Sequence, residues 1–170
     1  MVGRLPIFNR ILKGANFMGL DMFLEKKNKK GEFEEVGYWR KANQIHKWFV
    51  DNVQNGIDNG DRYKVTREQL EDLLYLCKEV KEKAILEEGE VYCGTTYSKN
   101  QEPVKQYCKG KIIKNVEEIS ELLPTQEGFF FGSTSYDEYY MEDIENTIKT
   151  LTNALEENKQ LKDFYYLAWW

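Results

Sequence analysis

From Leu20 the chain alternates with a period of two, Leu20, Met22 and Leu24 falling on one side and Asp21, Phe23 and Glu25 on the other. That alternation predicts a β-strand with one face turned to a core. After the polar stretch KKNKKG an extended run resumes from Phe33 to Trp39, and Gly31 is placed to make the turn of a hairpin. At Arg40 the period changes. Ala42, Ile45, Phe49 and Val53 recur at helical spacing until Asn55-Gly56 stops them, so a strand runs directly into a helix over 41–54.

The segment IDNGDRYK reads as a loop before a second helix over 66–84. There Thr66 and Gln69 form a capping box, Val65 and Leu70 stand at staple positions, and Leu70, Leu73, Leu74, Cys77 and Val80 line one face. Residues 90–115 are less determined by pattern. Short extended pieces at Val91–Tyr97 and Lys111–Ile113 flank a polar excursion through Pro103, where mobility is expected. Asn115–Leu123 reads as a short helix stopped by Pro124. Phe129–Phe131, set between glycines, reads as a buried strand, and Ser135 with Glu138 as a second capping box opening a helix over 137–157. Its apolar stripe is Tyr140, Met141, Ile144, Ile148, Leu151 and Leu155; Asp163–Trp170, DFYYLAWW, then closes the chain as an aromatic strand. The predicted architecture is a single α+β domain: a largely antiparallel sheet from the Leu20 hairpin, the Phe129 strand and the C-terminal strand, with three main helices packed on it.

Composition narrows this picture. At 170 residues the chain suits one domain with one core, and 31% charged residues with a mean hydropathy of -0.68 leave no apolar run that could span a membrane. A net charge of -5 disfavours duplex nucleic acid and anionic lipid as partners. The first seventeen residues differ, carrying three basic residues and no acid, and they lack the uninterrupted apolar run of a signal peptide. Lys13-Gly14-Ala15-Asn16-Phe17-Met18 is a peptide that a purine-rich ribosome-binding site ahead of a start codon would encode. Residues 1–17 are therefore expected to be a leader or N-terminal extension, with the domain at 18–170. Cys77, Cys93 and Cys108 lack the paired close spacing of zinc sites and are expected to be free thiols in a reducing cytosol, with Cys77 as a small core residue. No metal and no cofactor is expected.

Two places could carry chemistry. In the first, Trp39, Asn43 and His46 fall at helical spacing beside Arg40, Lys41, Lys47 and Trp48, offering an aromatic platform, an imidazole and cations for phosphate. The competing reading is a half-buried histidine with tryptophans in the core. In the second, Gly132, Ser133, Thr134 and Ser135 lie between a strand and a helix N-terminus, where amides and hydroxyls can hold phosphate or simply cap the helix. No GK[ST] follows, so this is not a Walker loop. The acids Asp137, Glu138, Glu142, Asp143 and Glu145 read as a solvated helix face rather than a divalent-metal site. No catalytic residue is assigned.

Three segments in this order, MGLDMFLEKK at 18–27, YWRKANQIHKWF at 38–49 and LLPTQEGFFFGSTSYDEYY at 122–140, resemble a family of small proteins encoded by bacteriophages and prophages. The resemblance spans most of the chain from Met18. It implies a compact accessory protein made in the host bacterial cytoplasm, where counter-defence roles are common, and it carries over no functional residues. The functional expectation is a non-enzymatic protein that binds a small phosphorylated, nucleotide-derived ligand and so sequesters a defence signal. The alternatives are an inhibitor that offers an acidic surface to a host protein and a small hydrolase using His46; a homo-oligomer is compatible with each.

Overall fold

The structure, a computed structural model, describes residues 19–97 and 102–170. The expected leader, residues 1–17, lies outside them. Strands β1 (Asp21–Lys27) and β2 (Phe33–Arg40) form the predicted hairpin, in register from Asp21 opposite Arg40 to Lys27 opposite Phe33, with one bulge after Leu24. The Asn28 carboxamide oxygen accepts from the amides of Lys30 and Glu32 across the turn, and Gly31 takes its left-handed conformation, φ 82°. Helix α1 (Asn43–Asn52) follows, then a short strand β3 (Tyr63–Thr66), helix α2 (Arg67–Lys83), strands β4 (Leu86–Thr96) and β5 (Val104–Ile113), helix α3 (Val116–Leu122), helix α4 (Glu138–Glu157) and strand β6 (Asp163–Trp169).

Among the described residues the strands form two antiparallel sheets, one ordered β2-β1-β6-β3 and one made of β4 and β5 alone. The aromatic C-terminal strand is central, with Phe23 opposite Leu167 on one side and Val65 opposite Phe164 on the other. One core joins the sheet to the helices. Met22, Leu24, Trp39, Phe164 and Tyr166 meet Ile45 and Phe49 of α1, Leu70, Leu73 and Cys77 of α2, and Ile144 and Leu151 of α4. Phe49 stacks flat on Tyr166 at 3.8 Å between ring centres. Each such fully buried side chain contributes about 1.5–3 kcal/mol of transfer free energy.

The capping box at Thr66 and Gln69 is present in full, and all four predicted helices form within a few residues of their expected limits. Four expectations are corrected. Phe129–Phe131 is not a strand: Phe129 is 78% exposed, Phe130 is in the left-handed region at φ 62°, and only Phe131 turns inward to be buried. The sheet position assigned to it belongs to β3, read in the sequence as loop. Asp137, not Ser135, caps α4, its carboxylate accepting from the amides of Tyr139 and Tyr140, while Glu138 accepts from the amide of Lys111 instead of closing a box. Residues 90–115, read as short pieces around a polar excursion, belong instead to a long hairpin, β4 with β5, whose strands are exposed over most of their length. Its polarity on both faces hides the alternation by which a strand is normally recognised. Finally, Cys93 and Cys108 are joined in a disulfide across this hairpin, not free, while Cys77 is a buried free thiol whose pKa burial pushes up to about 12.

The hairpin is pinned to the body at its base. Val91 and Ile113 are buried, the Ile113 amide donates to the Tyr136 carbonyl, and Ile112 makes an isolated bridge to Asp137. Gly110 permits this close packing, because a Cβ there would fall 2.6 Å from Val91 and 2.9 Å from the Glu138 carboxylate.

Candidate functional site

The corner between β2 and α1 turns at Lys41, a non-glycine residue at φ 60°. Lys41 donates its amide to the Leu20 carbonyl, and its own carbonyl accepts from Asn43. This turn separates the predicted site residues into inward and outward groups. Trp39 is 1% exposed, and its indole N–H donates to the Thr147 hydroxyl at 2.9 Å, so both faces of the ring belong to the core. Arg40 points the other way and pairs with Asp21 at 3.2 Å; Tyr38 donates to the same carboxylate. Desolvation and the Asp21 carboxylate together raise the Tyr38 pKa above its ordinary value.

Asn43 is buried and acts as a bracket. Its amide nitrogen donates to the carbonyls of Ser133 at 2.8 Å and Phe131 at 3.3 Å, and its oxygen accepts from the Gln126 amide at 3.0 Å. A single side chain thus ties the corner to the loop after α3. His46 is fully buried. The Tyr166 hydroxyl donates to its Nδ1 at 2.7 Å, and its Nε2–H donates to Asp58 at 3.0 Å, which assigns the neutral Nε2–H tautomer. Burial lowers its pKa, and the Asp58 carboxylate opposes that shift. Lys47 pairs with Asp51 one turn on, at 2.8 Å, and Trp48 packs edge-on against Phe49.

Gly132 lies directly against the corner. A Cβ on it would sit 3.1 Å from the Lys41 Cβ and 3.2 Å from the Lys41 carbonyl, and its φ of 96° favours glycine independently. Gly132 therefore packs on Lys41, and Ser133 and Ser135 line a cavity together with Arg40 and Lys41. The Ser133 hydroxyl oxygen accepts from the Ser135 amide. The helix end itself is closed to an anion, since Asp137 occupies the amides of Tyr139 and Tyr140.

Two adjoining cavities have Lys41, Tyr92, Gly132, Ser133 and Ser135 in common among their lining residues. One, about 460 Å³, is bounded by Lys41 and Lys105, by Tyr92, Tyr107 and Phe130, and by the backbone of 132–135; none of its lining residues is acidic. The other, about 280 Å³, runs towards α4 and is lined by Arg40, Gln44, Tyr139, Asp137, Glu142 and Asp143. Burial raises the Asp143 pKa to about 6, with Glu142 and Asp137 adding to the shift and a hydrogen bond from Gln44 at 3.2 Å opposing it. Burial also raises the Asp137 pKa.

Of the ten candidate residues, Lys41, Gly132, Ser133, Thr134 and Ser135 line the basic cavity and Arg40 the acidic one. Trp39, Asn43, His46 and Lys47 line neither, although Asn43 holds the loop that does. Tyr92, Lys105, Tyr107 and Phe130 escaped sequence reasoning. One signal was present: the dipeptide Tyr-Cys occurs at 92–93 and again at 107–108, on either side of a polar stretch, as in a hairpin whose two arms face each other. Among the described residues no group of three or more His, Cys, Asp or Glu side chains is arranged to hold a metal ion, and no helix is long and apolar enough to cross a membrane. No family model, no curated protein and no solved structure matches the chain.

Proposed function

We propose that this protein binds a small phosphorylated ligand, a nucleotide or nucleotide-derived signal, without transforming it. The observation that carries the reading is the basic cavity. Two lysines, Lys41 and Lys105, and four aromatic residues, Tyr92, Tyr107, Phe130 and Phe131, surround a space of about 460 Å³ with no carboxylate on its walls. That volume lies in the range of small-molecule sites, roughly 300–1,000 Å³. Cations complement phosphate, and tyrosine rings offer faces on which a base stacks. His46 is sealed in the core on two hydrogen bonds, so the cavity has no imidazole to serve a hydrolase.

The resemblance to phage-encoded proteins suggests the setting: a protein made in an infected bacterium that lowers the free concentration of a host defence signal. Solvent-exposed disulfides such as Cys93–Cys108 are more typical of oxidising surroundings than of a cytoplasm, so the oxidation state of this pair in cells tests the compartment.

The binding test is direct. A nucleotide panel should raise the melting temperature of the wild-type protein, and heating the protein after expression in defence-active bacteria should release the ligand intact. Replacing Lys41 and Lys105 together by Ala should weaken binding about tenfold or more and flatten its salt dependence. Absence of any melting shift, together with no released small molecule, would sink the reading; released hydrolysis products would replace it with an enzyme.

A further inference from the structure

The acidic cavity adjoins the basic one, with Lys41, Tyr92, Gly132, Ser133 and Ser135 lining both, and the rest of its lining has the opposite chemistry. Beyond Lys41 and Tyr92 the lining gains three carboxylates, Asp137, Glu142 and Asp143, with Gln44 and Tyr139, against one further cation, Arg40, which pairs with Asp21. A phosphate would be repelled there. A group rich in hydrogen-bond donors would be drawn in. The Asp143 Oδ2 already accepts from Gln44, whereas its Oδ1 accepts no hydrogen bond among the described residues. Gln44 is 2% exposed, which fixes the orientation of the pair.

We infer that this acidic lobe reads the base of the ligand and that the base it fits is guanine. The inference rests on the phosphorylated-ligand reading of the neighbouring lobe. Guanine alone among the common bases presents two adjacent donors, N1–H and the exocyclic N2 amine, matched to the two oxygens of one carboxylate. Adenine sets the N1 acceptor beside its amine and cytosine the N3 acceptor beside its own. Uracil flanks its single N3–H with two carbonyls, and each of these acceptors would face a carboxylate oxygen unfavourably. Tyr92, common to both lobes, and Tyr139, 46% exposed at the mouth of the acidic one, provide ring faces for a base whose phosphates extend past Lys41 towards Lys105. The ligand class is thus a guanine nucleotide, with the base held by Asp143 and the phosphates by lysine.

Calorimetric titration of the wild-type protein with GDP, ADP, UDP and CDP at pH 7.5 decides the matter. GDP is expected to bind about tenfold or more tightly than the other three. Asp143→Asn should reduce that preference to near unity while keeping the weaker, phosphate-based affinity, and a thermal melt checks that the variant is folded. Lys41→Ala should weaken all four nucleotides alike. Equal affinities for the four diphosphates, or a preference that survives in Asp143→Asn, would overturn the guanine assignment and leave the phosphorylated-ligand reading standing. Failure of all four to bind would overturn both. The wild-type comparison decides even if Asp143→Asn does not fold.

Discussion

Asp143 and His46 hold charge-bearing groups at opposite costs. The Asp143 carboxyl titrates near 6 when folded against 3.8 for the free group, so between those values the folded state binds more protons than the unfolded one. Its penalty is therefore fully present above about pH 6 and fades as the pH falls towards 3.8. Asp143→Asn should consequently stabilise the protein at pH 7.5 by roughly 1–3 kcal/mol, with the gain vanishing near pH 4, as read from denaturant midpoints. A residue that costs stability while facing a cavity fits a binding role better than a structural one. His46 has the reverse sign. Its folded pKa lies below 6.5, so the unfolded state takes up the proton first and stability drops as the pH falls below that value. Replacing His46 by Gln should reduce the dependence of stability on pH between 7 and 5, at a cost of about 1–3 kcal/mol at pH 7 from the disturbed Tyr166 and Asp58 hydrogen bonds. An unchanged pH profile would show that another group titrates.

At the scale of elements, the β4–β5 hairpin is held by different forces along its length. Its base is fixed by buried Val91 and Ile113 and by backbone bonds from Ile113 to Tyr136 and from Lys114 to Ile85. Beyond Tyr92 the ladder is exposed, and the Cys93–Cys108 disulfide, closing a separation of 15 residues, is the covalent constraint there. A loop of that size is worth about 3 kcal/mol in the chain-entropy account. Because the hairpin tip shares little of the core, removing the bond should act locally. In the double variant Cys93→Ser with Cys108→Ser, amide exchange should accelerate most at 94–96 and 104–107, less at 110–113, and not at all in β1, β6 or α2. Uniform acceleration throughout the protein would mean that the hairpin is part of the global folding unit. Since Tyr92, Lys105 and Tyr107 line the basic cavity, the same variant should also weaken nucleotide binding.

The whole molecule is coupled through the corner at 38–46. Trp39 bonds to Thr147 of α4, Asn43 to the 126–133 loop, and His46 to β6 and Asp58, so three side chains close together in sequence reach distant parts of the chain. Loss of one link should be felt everywhere. Trp39→Phe removes the bond to Thr147 and leaves a space between β2 and α4, at a cost of roughly 1–3 kcal/mol. Far-ultraviolet circular dichroism and tryptophan fluorescence should report the same lowered midpoint if the body unfolds as one unit. Separate transitions for the two signals would contradict that.

Local pattern sufficed for the β1–β2 hairpin, the strand-to-helix switch at Arg40, the Thr66 capping box and the limits of α2 and α4, because each depends on side chains within one or two turns of one another. It offered the corner with Arg40, Lys41 and His46 and the loop Gly132–Ser135 as two separate candidate sites, and nothing local said whether the fold would bring them together. What it could not settle was which of several apolar segments would fill the sheet: three consecutive phenylalanines look like a buried strand, yet β3 took the place beside β6, and Phe129 was left in solvent. Burial of Trp39 and His46 is likewise a property of what packs over them, not of their spacing. The cavities belong wholly to tertiary structure, since Lys41, Tyr92, Lys105 and Ser133 converge only when a hairpin with no amphipathic signature is folded back, through Gly110 and Asp137, against a corner more than forty residues earlier.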